Sequence, residues 1–263
     1  MRQELNDRWI VPRGYTLTKI TDSDEIDLTV SQLVHWLFEG VENVTCAQIG
    51  ANDGVAHDPF RLLRSNPTWR TWLLEPQPAV FKKLKRNVKR ESGSVCFPYA
   101  LSLAPGIKSL FTVNESQVQK ETGSARDFSV HASFDFEKLR DEIGEILNRP
   151  TIPENWIART EVNCVDWDQL FNELIGHIPQ LILLDTEGMD AELLRAFPFS
   201  TAQPEVIVFE HLWMHRAEYQ GIQDMLRGAG YHLMPLAKDS VAIHSGLLSR
   251  RPVAVQNLRP NPS

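Results

Sequence analysis

The chain is poor in cysteine, in positive charge and in long apolar runs, and each shortage narrows what it can be. Only three cysteines stand among 263 residues. Cys46, Cys96 and Cys164 all fall in strand-like segments, at spacings that fit no zinc site. They read as buried, reduced thiols of a cytoplasmic protein. The formal net charge of −7 argues against nucleic acid or an anionic membrane surface as partner. No apolar stretch is long enough to span a bilayer, and the first residues carry no apolar signal region. The G-x-G-x-x-G dinucleotide fingerprint is also missing, which counts against a nicotinamide-dependent oxidoreductase. No internal repeat is visible. What is present is an ordinary globular mix, 42% hydrophobic and 23% charged, in a length that can bury one α/β core.

The chain is organised around Cys46 to Gly54. Val44 to Ile49 is a short apolar run, as expected of a strand covered on both faces. Gly50 and Gly54 then bracket a tight loop, where a missing Cβ permits a sharp turn and close approach to a ligand. The next short run, Thr71 to Leu74, ends in Glu75. An acid at the end of the second strand, about 20 residues after a glycine loop, is placed to grip ribose hydroxyls. Together the two features point to an adenosine-type ligand.

Five blocks then fall in an order that resembles the FkbM family of S-adenosylmethionine-dependent methyltransferases. They are Ile49-Gly50-Ala51-Asn52-Asp53-Gly54, Asp58-Pro59, Leu74-Glu75-Pro76-Gln77-Pro78, Leu184-Asp185-Thr186-Glu187-Gly188-Met189-Asp190, and Pro204-Glu205-Val206-Ile207-Val208-Phe209-Glu210-His211. The resemblance runs from about Thr45 to Ile243. It implies a class I, Rossmann-like methyltransferase fold: a doubly wound α/β domain around a mostly parallel seven-stranded sheet. It also implies, usually, methylation of a hydroxyl oxygen, here on a sugar, glycan or secondary metabolite. The expected cofactor-binding residues are Gln48, Gly50, Asn52, Asp53, Gly54, Asp58, Glu75, Ala100, Ser102 and Asp185. The sequence departs from the family twice. Gln48 stands where many class I enzymes carry an acid. Phe97-Pro98-Tyr99-Ala100-Leu101-Ser102 lacks the asparagine of an Asn-x-Ala-Leu pattern.

Residues 1–40 read as an arm and a helix, 41–248 as the methyltransferase domain, and 249–263 as a disordered tail. The first helix is expected over Asp27 to Phe38, with Val30, Leu33, Val34 and Leu37 on one face. Asp58-Pro59 either caps a short helix or orders the cofactor loop. Pro78 to Lys89 is an amphipathic helix whose lysines and arginines form a solvated face. Ser94 to Leu101 is a third strand. Residues 113–163 are an insertion: a polar loop from Glu115 to Ser129, a helix over Phe134 to Leu147, and a strand from Glu161. Such insertions over strand ends cover substrates. His131 lies in it on a polar loop.

Buried strands from Gln180 and Glu205 end in acids, Asp185 with Glu187 and Glu210 with His211. In a doubly wound sheet these ends open on the same edge as Gly50 and Glu75. His211 has the best-matched pKa for a general base, with Glu187 and Glu210 as alternatives if burial raises theirs. Asp185 belongs to the same catalytic set. A second route uses Asp185, Glu210 and His211 to hold Mg²⁺ or Mn²⁺. The N-terminal arm and helix are candidates for a homodimer contact. A non-catalytic binding or scaffold protein on this fold is the remaining alternative.

Overall fold

The structure, a computed structural model, describes residues 15–18, 25–27, 29–56, 58, 60–124, 126–212, 214–250 and 258–260. In chain order the strands are β1 (Tyr15–Thr18), β2 (Glu25–Asp27), β3 (Thr45–Ile49), β4 (Arg70–Leu74), β5 (Ser94–Phe97), β6 (Tyr99–Leu101) and β7 (Gly106–Val113). They continue with β8 (Ala132–Ser133), β9 (Ile157–Val165), β10 (Leu181–Leu184), β11 (Val206–Glu210), β12 (Tyr231–Leu236), β13 (Asp239–His244) and β14 (Leu258–Pro260).

The main sheet has seven strands in the order β12-β13-β11-β10-β3-β4-β5. All pairs from β11 to β5 are parallel, and β13 runs antiparallel to both of its neighbours. The expected α/β architecture is therefore present. From β3 the chain builds outward to β4 and β5, then returns to place β10 and β11 on the other side. The space beyond β3 and β10 is thus the topological switch point, where open α/β sheets bind ligands.

The central strands β3, β4, β10 and β11 are mostly apolar because both faces are covered. Side chains alternate between faces with period two. Leu181 and Leu183 join Val206 and Val208 in one core beneath the helix Val30–Leu37. Ile182 and Leu184 join Ile207 and Phe209 in the other, with Trp167, Leu193 and Leu226. The helix Val30–Leu37 buries all four residues of its expected face. It starts at Val30, where Thr29 and Gln32 form a capping box, because Glu25–Asp27 is a strand.

The expected third strand is broken. Pro98 has no amide to give to a ladder, and the chain leaves the main sheet there. β5 pairs with β4, whereas β6 joins a second sheet, β6-β9-β7-β8. β7 and its long antiparallel pairing with β9 carried no sequence expectation. Glu115–Thr122, expected as loop, is a helix capped by Asn114; it is polar because it buries only Val118. The helix within Phe134 to Leu147 spans Phe136–Ile146, with Asp135 accepting from two amides at its start. These pieces form a lobe with its own core of Val118, Phe128, Leu139, Ile143, Ile152 and Trp156.

Leu258–Pro260, in the stretch expected to be a disordered tail, pairs antiparallel with Tyr15–Leu17. The expectations for Met1 to Gly14, for Pro59 and for the rest of the tail beyond Arg250 lie outside the described residues. Among the described residues no helix is long and apolar enough to cross a membrane.

Candidate functional site

Sheet hydrogen bonding continues into the turns that carry the candidate residues. The amides of Gly50 and Ala51 donate to the Leu74 carbonyl at 3.0 and 2.9 Å, and the amide of Asp185 donates to Ile49 at 3.0 Å. Gly50 has φ +81°. A Cβ at that position would overlap the carbonyl oxygen of Asp185. The close approach anticipated for a ligand is thus already made by the neighbouring strand's turn.

Glu75 is buried, and each of its carboxylate oxygens is held by one backbone amide. Asn52 donates to Oε2 at 3.0 Å and Gln77 to Oε1 at 2.8 Å. A carboxylate offers about four lone-pair directions, so two remain for ribose hydroxyls in the cleft that Glu75 lines. Burial pushes its pKa up to about 7, against the pull of those two amides. The loop and the acid fit an adenosyl ligand as one unit.

Behind the loop lies Arg64, which the sequence did not single out. Its buried guanidinium bonds the Gln48 Oε1 at 3.1 Å and the Gly54 carbonyl at 2.8 Å, and pairs with Asp58 and Glu91. The helix Arg61–Arg64 starts after Phe60 with no side-chain cap, so Asp58 serves the loop through Arg64 rather than a helix start. Its Oδ1 accepts from the Phe60 amide at 2.8 Å, while Oδ2 takes Arg64. Asp53 does not face the cleft. Its Oδ1 accepts from Val55 and Ala56 at 2.9 and 2.8 Å, so it shapes the loop from behind.

Gln48, Gly50, Asn52, Asp58, Glu75, Ala100, Asp185 and Glu187 all line one open cleft. Tyr99 and Pro76 add walls, and the lobe supplies a roof through Leu110 and residues 129, 130 and 132–134. Two bonds tie the roof to the floor. Gln77 Nε2 donates to the Ser129 carbonyl at 3.0 Å, and Lys138 Nζ to the Gly188 carbonyl at 3.3 Å.

Other expected residues lie elsewhere. Gly54 and Ser102 do not line this cleft. Ser102 donates to the Ala104 carbonyl at 2.6 Å and edges a separate hollow beside Trp167. His211 also stays out. The residue is 1% exposed, its ring lies tilted 4.8 Å from that of Tyr219, and Nδ1 is 3.0 Å from the Ser240 hydroxyl. Burial lowers its pKa to about 4. It is a core imidazole, and the aromatic packing that holds it there explains why the expected base role does not fit its position.

Glu210 likewise turns from the cleft, with Oε1 3.0 Å from Lys238 Nζ. The same ammonium lies 3.9 Å from Asp185 Oδ2. A lysine therefore stands beside both acids where the metal route needs a cation, and His211 points into the core. Asp185, Glu210 and His211 do not form a common ligand set among the described residues. Burial disfavours the charge on Lys238, but Asp185 and Glu210 outweigh it and hold its pKa above the usual lysine range.

Glu187 does face the cleft. It occupies the left-handed region, φ +54°. Burial, then the carboxylates of Asp185, Glu210 and Glu142, push its pKa up to about 9 against the pull of Lys238. Asp190, the first residue of the helix Asp190–Arg195, holds this turn. Its Oδ1 accepts from the Thr186 amide and hydroxyl, and its Oδ2 from the Glu210 amide at 2.9 Å. Its place at a helix N-terminus, where acids are common, hid that second task.

The fold and cleft are those of a class I methyltransferase. The chain matches the methyltransferase FkbM domain over residues 48–233, and it belongs to that family of S-adenosylmethionine-dependent methyltransferases. Solved structures similar to it include the FkbM methyltransferase from Methylobacillus flagellatus KT, at 10% identity and TM-score 0.44, covering 80% of this chain and 48% of that one. This chain thus spans about half the length of that protein. Precorrin-6y C5,15-methyltransferase from Geobacter metallireducens GS-15 is similar at 11% identity and TM-score 0.37, covering 87% of this chain and 93% of that one. Aeropyrum pernix fibrillarin, solved with natively bound S-adenosyl-L-methionine, is similar at 8% identity and TM-score 0.38, covering 77% and 67%. Curated protein sequences gave no match.

Proposed function

We propose that this protein is an S-adenosylmethionine-dependent O-methyltransferase whose acceptor is a hydroxyl on a sugar, glycan or secondary metabolite. The observation that carries the reading is the meeting of the Gly50 loop, Glu75 and the Asp185–Glu187 turn in one roofed cleft. The bound cofactor would supply an electrophilic methyl group on a sulfonium. Glu75 holds the ribose through its two free lone-pair directions. Backbone groups around Gly50 to Asn52 and the turn at Asp185 meet the amino-acid end. Tyr99 and Ala100 flank the base.

The remaining work belongs to the acceptor side. The lobe excludes water and aligns the acceptor with the methyl group, and alignment of this kind is worth roughly 7–11 kcal/mol. Glu187 is the acid on the cleft wall best placed to take the hydroxyl proton, and its raised pKa makes it a strong base once ionised. Asp185, also on the wall, keeps Lys238 beside the turn.

The reading is tested by calorimetric titration with S-adenosylmethionine and S-adenosylhomocysteine, with and without Mg²⁺. Saturable binding of both, unchanged by the metal, is the expected result. Absence of binding in every condition would return the chain to the scaffold reading.

A further inference from the structure

We propose that Glu187, His131 and Glu142 form a proton relay that carries the acceptor's proton from the cleft to solvent, a role that rests on the methyltransferase reading above. The three residues come from separate parts of the chain: the turn after β10, the stretch before β8, and the lobe helix Phe136–Ile146. One nitrogen or oxygen atom from each lies within 4.8 Å of those of the other two. His131 Nδ1 is 2.6 Å from Glu142 Oε1. An ionised carboxylate only accepts, so the imidazole donates there and its basic nitrogen is Nε2. Glu187 is on the cleft wall, and the Glu142 side chain is 15% exposed to solvent.

The position of Glu187 favours such a path. With a pKa near 9 it carries a proton at neutral pH, and a protonated carboxyl cannot take another. It acts as a base only by passing its own proton on. The groups facing it are Asp185 on its own turn, Glu210 at the end of β11, Glu142 and Lys138 on the lobe helix, His131, and Lys238 on the β12–β13 turn. The step balances as follows. The acceptor oxygen bonds the methyl carbon while the C–S bond breaks with its electron pair left on sulfur. The hydroxyl proton moves to one Glu187 oxygen, the proton on the other crosses the gap of up to 4.8 Å through a water to His131 Nε2, the Nδ1 proton leaves through Glu142 to water, and exchange with water restores the starting tautomer.

The test is ¹⁵N NMR of the His131 ring in the full chain from pH 5 to 9, alone and with S-adenosylhomocysteine. Wild type should show two inflections, its own and one mirroring Glu187. Glu187→Gln should remove the second. A single inflection, unchanged in Glu187→Gln, overturns the relay. So does selective broadening of the His131 signals by micromolar Mn²⁺ that is lost in Glu187→Gln, which makes the cluster a cation site. Calorimetry on the same samples separates the failures. Without S-adenosylhomocysteine binding the methyltransferase reading falls, and the relay's purpose with it; a missing second inflection in a chain that binds removes the relay alone.

Discussion

No side-chain carbon fits at Gly50, because a Cβ there would overlap the carbonyl oxygen of Asp185. The first and fourth parallel strands of the main sheet, β3 and β10, meet at this contact, and the cleft opens above it. Gly50→Ala is expected to cost at least about 2 kcal/mol, since it adds a clash to a left-handed backbone. Gly123 also has a left-handed φ of +72°, but open space around it. Its alanine variant should lose only about 1 kcal/mol. Urea unfolding of the two variants distinguishes them, and equal losses would refute the packing account.

Glu75 links loop and ligand. Glu75→Gln keeps one oxygen to accept from either Asn52 or Gln77, and turns an NH₂ toward the other amide. The expected result is at least a tenfold loss of S-adenosylhomocysteine affinity, about 1.4 kcal/mol or more. Calorimetry that found the affinity unchanged would remove Glu75 from the cofactor site.

Stability should fall between pH 7 and about pH 8.5, through Glu187. In the unfolded chain its carboxyl has lost its proton well below pH 7. In the folded chain it keeps the proton until about pH 9. The folded state therefore binds more protons across this window, and its stability drops as pH rises. Glu75, Asp190 and Asp239, each raised to about 7 by burial, add to the fall below and around pH 7 and are spent near neutrality. His211, lowered to about 4, acts in the opposite sense only below pH 6.5. Urea midpoints at pH 7 and 8.5 should differ in wild type and flatten in Glu187→Gln. A rising midpoint would contradict the burial of Glu187.

The buried ion pair of Arg64 and Asp58 offers a sharper loss. Their side chains are 1% and 2% exposed. Arg64→Met leaves a buried carboxylate without its cation, at a cost of about 3–5 kcal/mol. Arg64→Met with Asp58→Asn should be less damaging than Arg64→Met alone. A double variant that simply sums the two losses would mean the pair is not coupled.

For His211 the expected signature is structural. His211→Ala removes the Ser240 partner and the ring on Tyr219, and should cost about 2–4 kcal/mol. Its S-adenosylhomocysteine affinity should stay within about twofold of wild type. A stable variant that no longer bound the cofactor would put the imidazole back in the site.

Much of this was legible in the sequence because it is written locally. Apolar runs ending in glycine or acid gave β3, β4, β10 and β11, and with them Gly50, Glu75, Asp185 and Glu187 on one edge. What escaped depends on long-range partners. Nothing near Arg64 in the chain announces that it binds Gln48, Gly54, Asp58 and Glu91 at once. His211 carried the right chemistry for a base, but the direction of its ring is set by Tyr219 and Ser240. Glu115–Thr122 has one buried residue, too few for a periodic signal. β6 was misread because its partner, β9, lies about sixty residues on.

The lobe's core shares no residue with either core of the main sheet. The part of the chain that roofs the cleft, residues 99–165, therefore packs largely on its own core, with Leu101 and Val165 at the ends of β6 and β9 as its hold on the main one. Grafting it onto a related chain should carry acceptor choice across while cofactor binding stays with the recipient. New specificities on this scaffold would then arise by exchange of one lobe, with the donor chemistry beneath it inherited intact.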